Sequence, residues 1–346
     1  MMQGGQYPQA VYAARGKGDD VNCLLCPVSC RIPPSASGAC GGRDNIDGAL
    51  TPTNYGKVTS ISLDPIEKKP LYHFHPGSTV LSLGTYGCNL NCTFCQNWQI
   101  SHPVELTALR LRDIQPRGVV ERLRTYSDRR CVGAAYTYSE PVVWYEYVRD
   151  TSLAVREEGF KNILVTNAYL RERPWRELLK SVDACNIDVK GFDPEFYRKY
   201  CAGDLSIVKR NVEIAVEAGV HVEVTTLVVP DGTDDPGDLE ALADWLAQLD
   251  SGMPLHLSRY YPHYRMHRPP TPMKTLLMAR EIAAERLNHV YLGNVLVPGG
   301  SDTTCASCGE TLVRRSAYRV SLVGLDGERC AGCGRPSGLI FEGSVD

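Results

Sequence analysis

From Ser78 onward the hydrophobic pattern is regular. Short apolar, β-branched runs occur at TVLSLGT (79–85), CVGAAYT (131–137), KNILVTN (161–167), ACNIDVK (184–190), HVEVTTLVV (221–229) and PLHLSRY (254–260). HVYLGNVLV (289–297) is a candidate seventh. Between them lie stretches with helical spacing, such as EPVVWYEYVRDTSLAVREEG and DPGDLEALADWLAQLD, with Gly159 and Gly219 placed as helix C-caps. Buried strands alternating with amphipathic helices predict βαβ units and a parallel sheet. Six units are too few for a complete eight-fold barrel. The expected fold is therefore α/β, a partial (β/α)6 TIM-type barrel over residues 78–300, with a flat doubly wound sheet as the alternative.

The flanks read differently. Residues 1–22 are polar and rich in Gly and Gln, which predicts a loose tail. Residues 23–77 form an N-terminal Cys-rich metal-binding segment with turn formers between its cysteines, followed by KVTSISLDP, which alternates like a strand. Pro298, Gly299 and Gly300 mark a boundary, and residues 301–346 form a second small Cys-bearing module, of zinc-ribbon or rubredoxin-like type.

Composition narrows the class. A chain of 346 residues, 43% apolar and 22% charged, can bury a sizeable core. Its 37 basic and 40 acidic residues give a net charge of −3, which argues against a chain built to coat nucleic acid. No apolar run approaches the roughly 18 residues of a membrane span. The first residues lack the apolar core of a secretory signal, so a cytoplasmic location is expected.

Eleven of the 14 cysteines fall into three groups, which points to metal. Cys88, Cys92 and Cys95, in TYGCNLNCTFCQNW, follow the first barrel strand. Three thiolates on one loop can hold three irons of a [4Fe–4S] cluster and leave the fourth open, whereas complete ligation takes four. The competing reading is a zinc site completed by a distant ligand such as His102. Cys305, Cys308, Cys330 and Cys333 form two C-x2-C-G knuckles, the pattern of structural zinc, with mononuclear iron or an auxiliary cluster as alternatives. Cys23, Cys26, Cys30 and Cys40 suggest a second metal site, equally readable as zinc or an auxiliary [4Fe–4S] cluster, or with Cys40 unligated. Of the ungrouped cysteines, Cys131 and Cys185 read as core, and Cys201 as a candidate redox or hydrogen-donor thiol.

In a parallel barrel, functional side chains project from the C-terminal ends of the strands. Those ends carry Glu140, Asn167, and Asp188 with Lys190. Each alone could be a rim ion pair or a cap. HYRMHRPP, beyond the sixth strand, offers His263, Arg265, His267 and Arg268 as an anion site or an exposed basic loop. Arg314, Arg315 and Arg319 give the C-terminal module a basic face, read as solvated surface.

The C-x3-C-x2-C triad resembles that of the radical S-adenosylmethionine (SAM) superfamily. The resemblance implies a [4Fe–4S] cluster, SAM, and a place near the adenine for Phe94. By similarity to glycyl-radical-enzyme activases, Glu140 would bind the SAM amino group, and Asp188 and Lys190 the rest of SAM, with Asn167 on the same rim. The activases' Gly-Gly-Glu is here Tyr138-Ser139-Glu140. CLLCPVSC, GACGGR, DPIEKKPLYHFHPG and AYTYSEPVVWYEY, with the terminal ribbon, resemble the AmmeMemoRadiSam-system radical SAM proteins, relatives of pyruvate formate-lyase activating enzymes. That implies an oxidoreductase-type enzyme, a one-electron donor of flavodoxin or ferredoxin type, and a small-molecule or protein substrate. It also suggests the two companion proteins of that system as partners. A dedicated glycyl-radical activase and a non-enzymatic metal or electron-transfer protein are the alternatives.

Overall fold

A computed structural model describes residues 7–341. One sheet contains β1 (Ser60–Pro65), β2 (Thr79–Gly84), β3 (Cys131–Tyr136), β4 (Lys161–Thr166), β5 (Ala184–Asp188), β6 (His221–Val228), β7 (Leu255–Arg259) and β8 (Val290–Gly293), in that order across the sheet. β1 runs antiparallel to β2. Every later pair is parallel. A doubly wound sheet reverses its strand order at a switch point. No reversal occurs here, so the flat alternative is excluded. The parallel strands number seven rather than the expected six, because Val290–Gly293 pairs with β7. Among the described residues no pairing joins β1 to β8, and the sheet keeps two edges.

The helices cover the outer face: α1 (Pro116–Thr125), α2 (Tyr145–Glu157), α3 (Glu172–Leu179), α4 (Leu205–Glu217), α5 (Pro236–Asp250) and α6 (Met273–Ala284). Their ends follow local chemistry. The Asp204 carboxylate accepts from Ser206 N to start α4, and that of Asp235 accepts from Gly237 N and Asp238 N to start α5. Gly159 and Gly219, at φ +79° and +73°, terminate α2 and α4 in the left-handed region.

The N-terminal residues depart from the expected loose tail. Residues 1–6 lie outside the described residues, but Ala13–Arg15 pairs antiparallel with Val21–Cys23. Tyr12 sets its ring edge-on to Tyr145 at 5.5 Å, and Val11 N donates to the buried Glu146. These contacts offset the ordering entropy that would otherwise leave the segment free.

The N-terminal ends of the strands are closed by residues 66–76 and by the C-terminal module. Glu223, fully buried near the start of β6, accepts from Tyr72 N at 2.8 Å and His73 N at 2.7 Å, and pairs with His221 Nε2 at 3.0 Å and His256 Nε2 at 2.6 Å. Burial works to raise the Glu223 carboxyl, yet the two histidines hold it well below the usual range. The module's Thr303–Thr304, Thr311–Ser316 and Arg319–Leu322 form a small antiparallel sheet. Its Arg315 is no part of a solvated basic face. The guanidinium is buried against the Tyr72 ring at 4.3 Å and donates to Tyr72 O, Ser301 O and Thr303 Oγ1. The part-buried carbonyls of Tyr72 and Ser301 take their hydrogen bonds from this guanidinium.

Candidate active site

β2 ends at Gly84, and the chain then makes the loop that carries Cys88, Cys92 and Cys95. Backbone bonds pin this loop to the barrel: Asn91 N donates to Cys201 O and Thr93 N to Tyr200 O, both at 2.9 Å. Arg265 N, from the loop after β7, donates to Thr93 O at 2.9 Å. All three cysteines line a cavity of about 460 Å³, and so do Phe94, Glu140, Asn167, Asp188 and Lys190. The strand-end residues picked out from the sequence therefore meet the triad at one place.

Each has a definite environment. Glu140 accepts from Val142 N at 3.1 Å, Thr166 Oγ1 at 2.5 Å and Asn167 N at 2.8 Å. It caps the turn Pro141–Trp144 and keeps lone-pair capacity for one further donor. Burial raises its pKa to about 7 against those three bonds. Asn167 is occupied by protein: Nδ2 donates to Asn89 Oδ1 at 3.0 Å and to Cys88 Sγ at 3.7 Å, while Oδ1 accepts from Tyr169 N. It is placed to orient Cys88. Asp188 and Lys190 form an ion pair at 2.7 Å. Burial opposes the Lys190 charge, but Asp188 and Cys92 raise its pKa above the ordinary lysine value. Phe94 is buried and stacks on Phe196 at 5.8 Å.

The donor set suits a cluster. Burial, and then the charge of Glu140, push the Cys88 thiol well above its usual pKa. A bound cation is what would make it a thiolate. The Cys92 thiol is lowered instead, chiefly by a hydrogen bond from Cys201, which lies buried against it. Among the described residues, three or more metal-ligating atoms gather within 4.8 Å of one another only at Cys305, Cys308, Cys330 and Cys333. His102 lines the cavity but is not gathered with the triad around a single-ion position, so the zinc reading of the triad has no support. The wider setting of the three sulfurs suits the corners of a cluster.

A radical SAM superfamily profile matches residues 82–246, the span that contains the triad and all four strand-end residues. The chain carries a radical SAM domain. Such a domain implies a [4Fe–4S] cluster and SAM. This radical SAM protein is 40% identical over 340 residues to an uncharacterized protein of Methanocaldococcus jannaschii, covering 96% of this chain and 99% of that one. It is 24% identical over 178 residues to the pyruvate formate-lyase-activating enzyme of Clostridium pasteurianum, covering 51% of this chain and 72% of the relative. Among solved structures, Streptococcus suis SuiB bound to S-adenosylmethionine superposes with a TM-score of 0.50 at 15% identity, over 66% of this chain and 53% of SuiB. That likeness concerns the fold.

Several residues of the radical SAM cavity were not visible as functional in the sequence. Tyr138 has φ +71°, a left-handed conformation that is costly for a bulky residue. Its ring occupies space that Gly84 leaves free, since a Cβ at Gly84 would stand 2.8 Å from Tyr138 Cδ2. The phenol donates to Asp64 Oδ2 at 2.6 Å, which also takes Lys69 Nζ at 2.8 Å, with Lys69 4.6 Å over the ring. Burial would raise Asp64, but Lys69, Tyr138 and Lys68 together lower it strongly. The one sequence signal was Tyr138 standing where the activases have glycine. Conversely, His263, Arg265, His267 and Arg268 do not line the cavity, and Arg268 is engaged by Pro230 O and Tyr200 Oη. The anion-site reading of that loop is not supported.

At the C-terminal module, Cys305 and Cys333 sulfurs stand 3.7 Å apart, and those of Cys308 and Cys330 3.6 Å. Four thiolates on one zinc at ~2.3 Å would be about 3.8 Å apart, so this quartet is set for a single ion. Cys23, Cys26, Cys30 and Cys40 face a separate, smaller chamber. No helix among the described residues is long and apolar enough to cross a membrane.

Proposed function

We propose that this protein reductively cleaves SAM at a [4Fe–4S] cluster held by Cys88, Cys92 and Cys95, and abstracts hydrogen from a small-molecule or protein substrate in the barrel. The observation that carries this reading is the single cavity shared by three thiol sulfurs, the Glu140 carboxylate and the Asp188–Lys190 pair. When bound, the cluster and SAM supply a one-electron break of the sulfonium bond, giving methionine and a 5′-deoxyadenosyl radical. The chain's own part is to bind and orient. Glu140 accepts the SAM ammonium with its remaining lone pair. Asp188 and Lys190 meet the polar remainder, Phe94 flanks the adenine, and Asn167 fixes Cys88. Tyr138, braced by Asp64 and Lys69, forms the inner wall against which a substrate would rest. The flanking motifs favour a place in the AmmeMemoRadiSam group, with its companion proteins as partners and a flavodoxin- or ferredoxin-type donor. The quartet at the C-terminal module is proposed to hold zinc.

The test is anaerobic. Reconstituted, dithionite-reduced protein with SAM should form 5′-deoxyadenosine and methionine, and a Cys88→Ala/Cys92→Ala/Cys95→Ala variant should form none above background. Equal product from both would end the proposal. The named activating-enzyme relative favours a second reading, activation of a glycyl-radical enzyme. It predicts in addition a stable protein radical on a partner, seen by electron paramagnetic resonance.

SAM binding should also depend on pH in a defined sense. Glu140 has a pKa of about 7, raised by burial, and must be ionised to hold a cation. A free α-amino group loses its proton near 7.7–8.0. Affinity should rise as pH climbs through about 7, then fall once the amine deprotonates. Calorimetric titration of Glu140→Gln should show weaker binding with the acidic limb gone. An unchanged acidic limb would remove Glu140 from this role.

A further inference from the structure

We propose that Cys23, Cys26, Cys30 and Cys40 hold a second [4Fe–4S] cluster, close enough to the triad's cluster for the two to couple magnetically. All four cysteines line one chamber whose other walls are apolar residues such as Leu25, Ile32 and Val142, broken only by Arg43 and Asn89 among the polar side chains. No three of the sulfurs come within 4.8 Å of one another, in contrast to the C-terminal quartet, whose spacing matches a single ion. Thiolates at the corners of a four-iron core are spread farther than thiolates around one zinc, so the two quartets are set for different occupants. Four cysteines give complete ligation, with no open iron, which separates this site from the triad.

A second observation points to an anionic, sulfur-rich occupant. Arg43 is 1% exposed and lines the chamber. Its Nη2 is bound to both oxygens of Glu146, at 2.6 and 2.5 Å, but its Nε has no partner. A buried N–H left without an acceptor is destabilising. A cluster with four thiolates is net negative, and its sulfurs accept N–H bonds, so it would relieve that cost. One such bond is already formed, from Ala39 N to Cys30 Sγ at 3.4 Å.

The two sites share a wall. Asn89, between Cys88 and Cys92 in the chain, lines the N-terminal chamber and lies within hydrogen-bond reach of Cys26. Its Oδ1 accepts from Asn167 Nδ2, which also reaches Cys88 Sγ. Cys40 O sits so near Gly87 that a Cβ there would stand 2.3 Å away, one residue before Cys88. Two side chains thus span the distance from one cysteine set to the other.

The test counts iron without SAM, so it is independent of the proposed cleavage activity. The Cys88→Ala/Cys92→Ala/Cys95→Ala variant, reconstituted anaerobically, should keep about half the wild-type iron and sulfide, near four of each per chain. Adding Cys26→Ala and Cys30→Ala should remove the rest. The zinc content of the C-terminal module and the circular dichroism of the variants report whether they have folded. In fully reduced wild type, the paramagnetic resonance signal should be broadened by spin–spin interaction, and the broadening should vanish when either site is removed. Wild type with about four irons and a second equivalent of zinc would overturn the proposal, as would a triad-less variant that folds and binds no iron. Two clusters without broadening would overturn the coupling.

Discussion

Glu223→Ala should lower the unfolding free energy by about 3–5 kcal/mol, the range for removing one partner of a buried charged network. The change leaves two backbone amides, of Tyr72 and His73, and two imidazoles without their shared acceptor. Glu223 is fully buried and His73 and His256 nearly so, which leaves water little access to replace the lost acceptor there. The deficit should itself depend on pH. The Glu223 carboxyl is held below its ordinary value of 4.5, so its contribution is complete above about 4.5 and is lost as pH falls through the lowered folded value. Denaturant titration at neutral and acidic pH measures both effects. Glu240→Ala, which removes an exposed partner of Arg286, serves as the comparison and should cost less than about 1 kcal/mol. A Glu223 effect no larger than that would show that the barrel floor is not a coupled network.

Stripping the zinc proposed for the C-terminal module should unfold that module while leaving the barrel wall in place. Its buried apolar cluster consists of Cys305, Leu312, Val313, Cys330 and Leu339, too little to hold a fold unaided. Structural zinc contributes about 10–16 kcal/mol in comparable small sites. A thiol-reactive mercurial should therefore release one zinc per chain. Hydrogen exchange should then show lost protection across 303–341 and at Tyr72 and His73, whose environment Arg315 and Ile340 complete. Strands β2 to β7 should keep theirs. Release of iron in place of zinc, or a module that stays protected after release, would contradict the assignment.

How much of this was legible in the chain depends on how far apart the cooperating residues lie. The strands could be read because β-branched runs mark them one at a time, and the triad because its three cysteines fall within eight residues. The strand-end carboxylates and Lys190 followed from the rule that such ends meet on one rim. The seventh parallel strand was harder, being only four residues, Val290–Gly293. Tyr138 was legible only as a departure, since its conformation needs the space that Gly84 leaves on a neighbouring strand. Arg315 carries no local sign of burial: its partners at Tyr72 and Ser301 are remote or backbone atoms. Cys201, read from the sequence as a candidate redox or hydrogen-donor thiol, has its partner in Cys92, more than a hundred residues earlier, which no local pattern shows.

The unbroken succession of strands bears on how the chain reaches its native state. Each βα unit can dock on the one before it as synthesis proceeds, closing only short loops at modest entropic cost. The floor cannot be assembled in that way. Tyr72 emerges early, but the guanidinium that completes it belongs to a residue 243 positions later. A late folding intermediate with a finished wall and an open base is thus expected, its Glu223 still hydrated, and chaperones or proteases would meet the protein in that form.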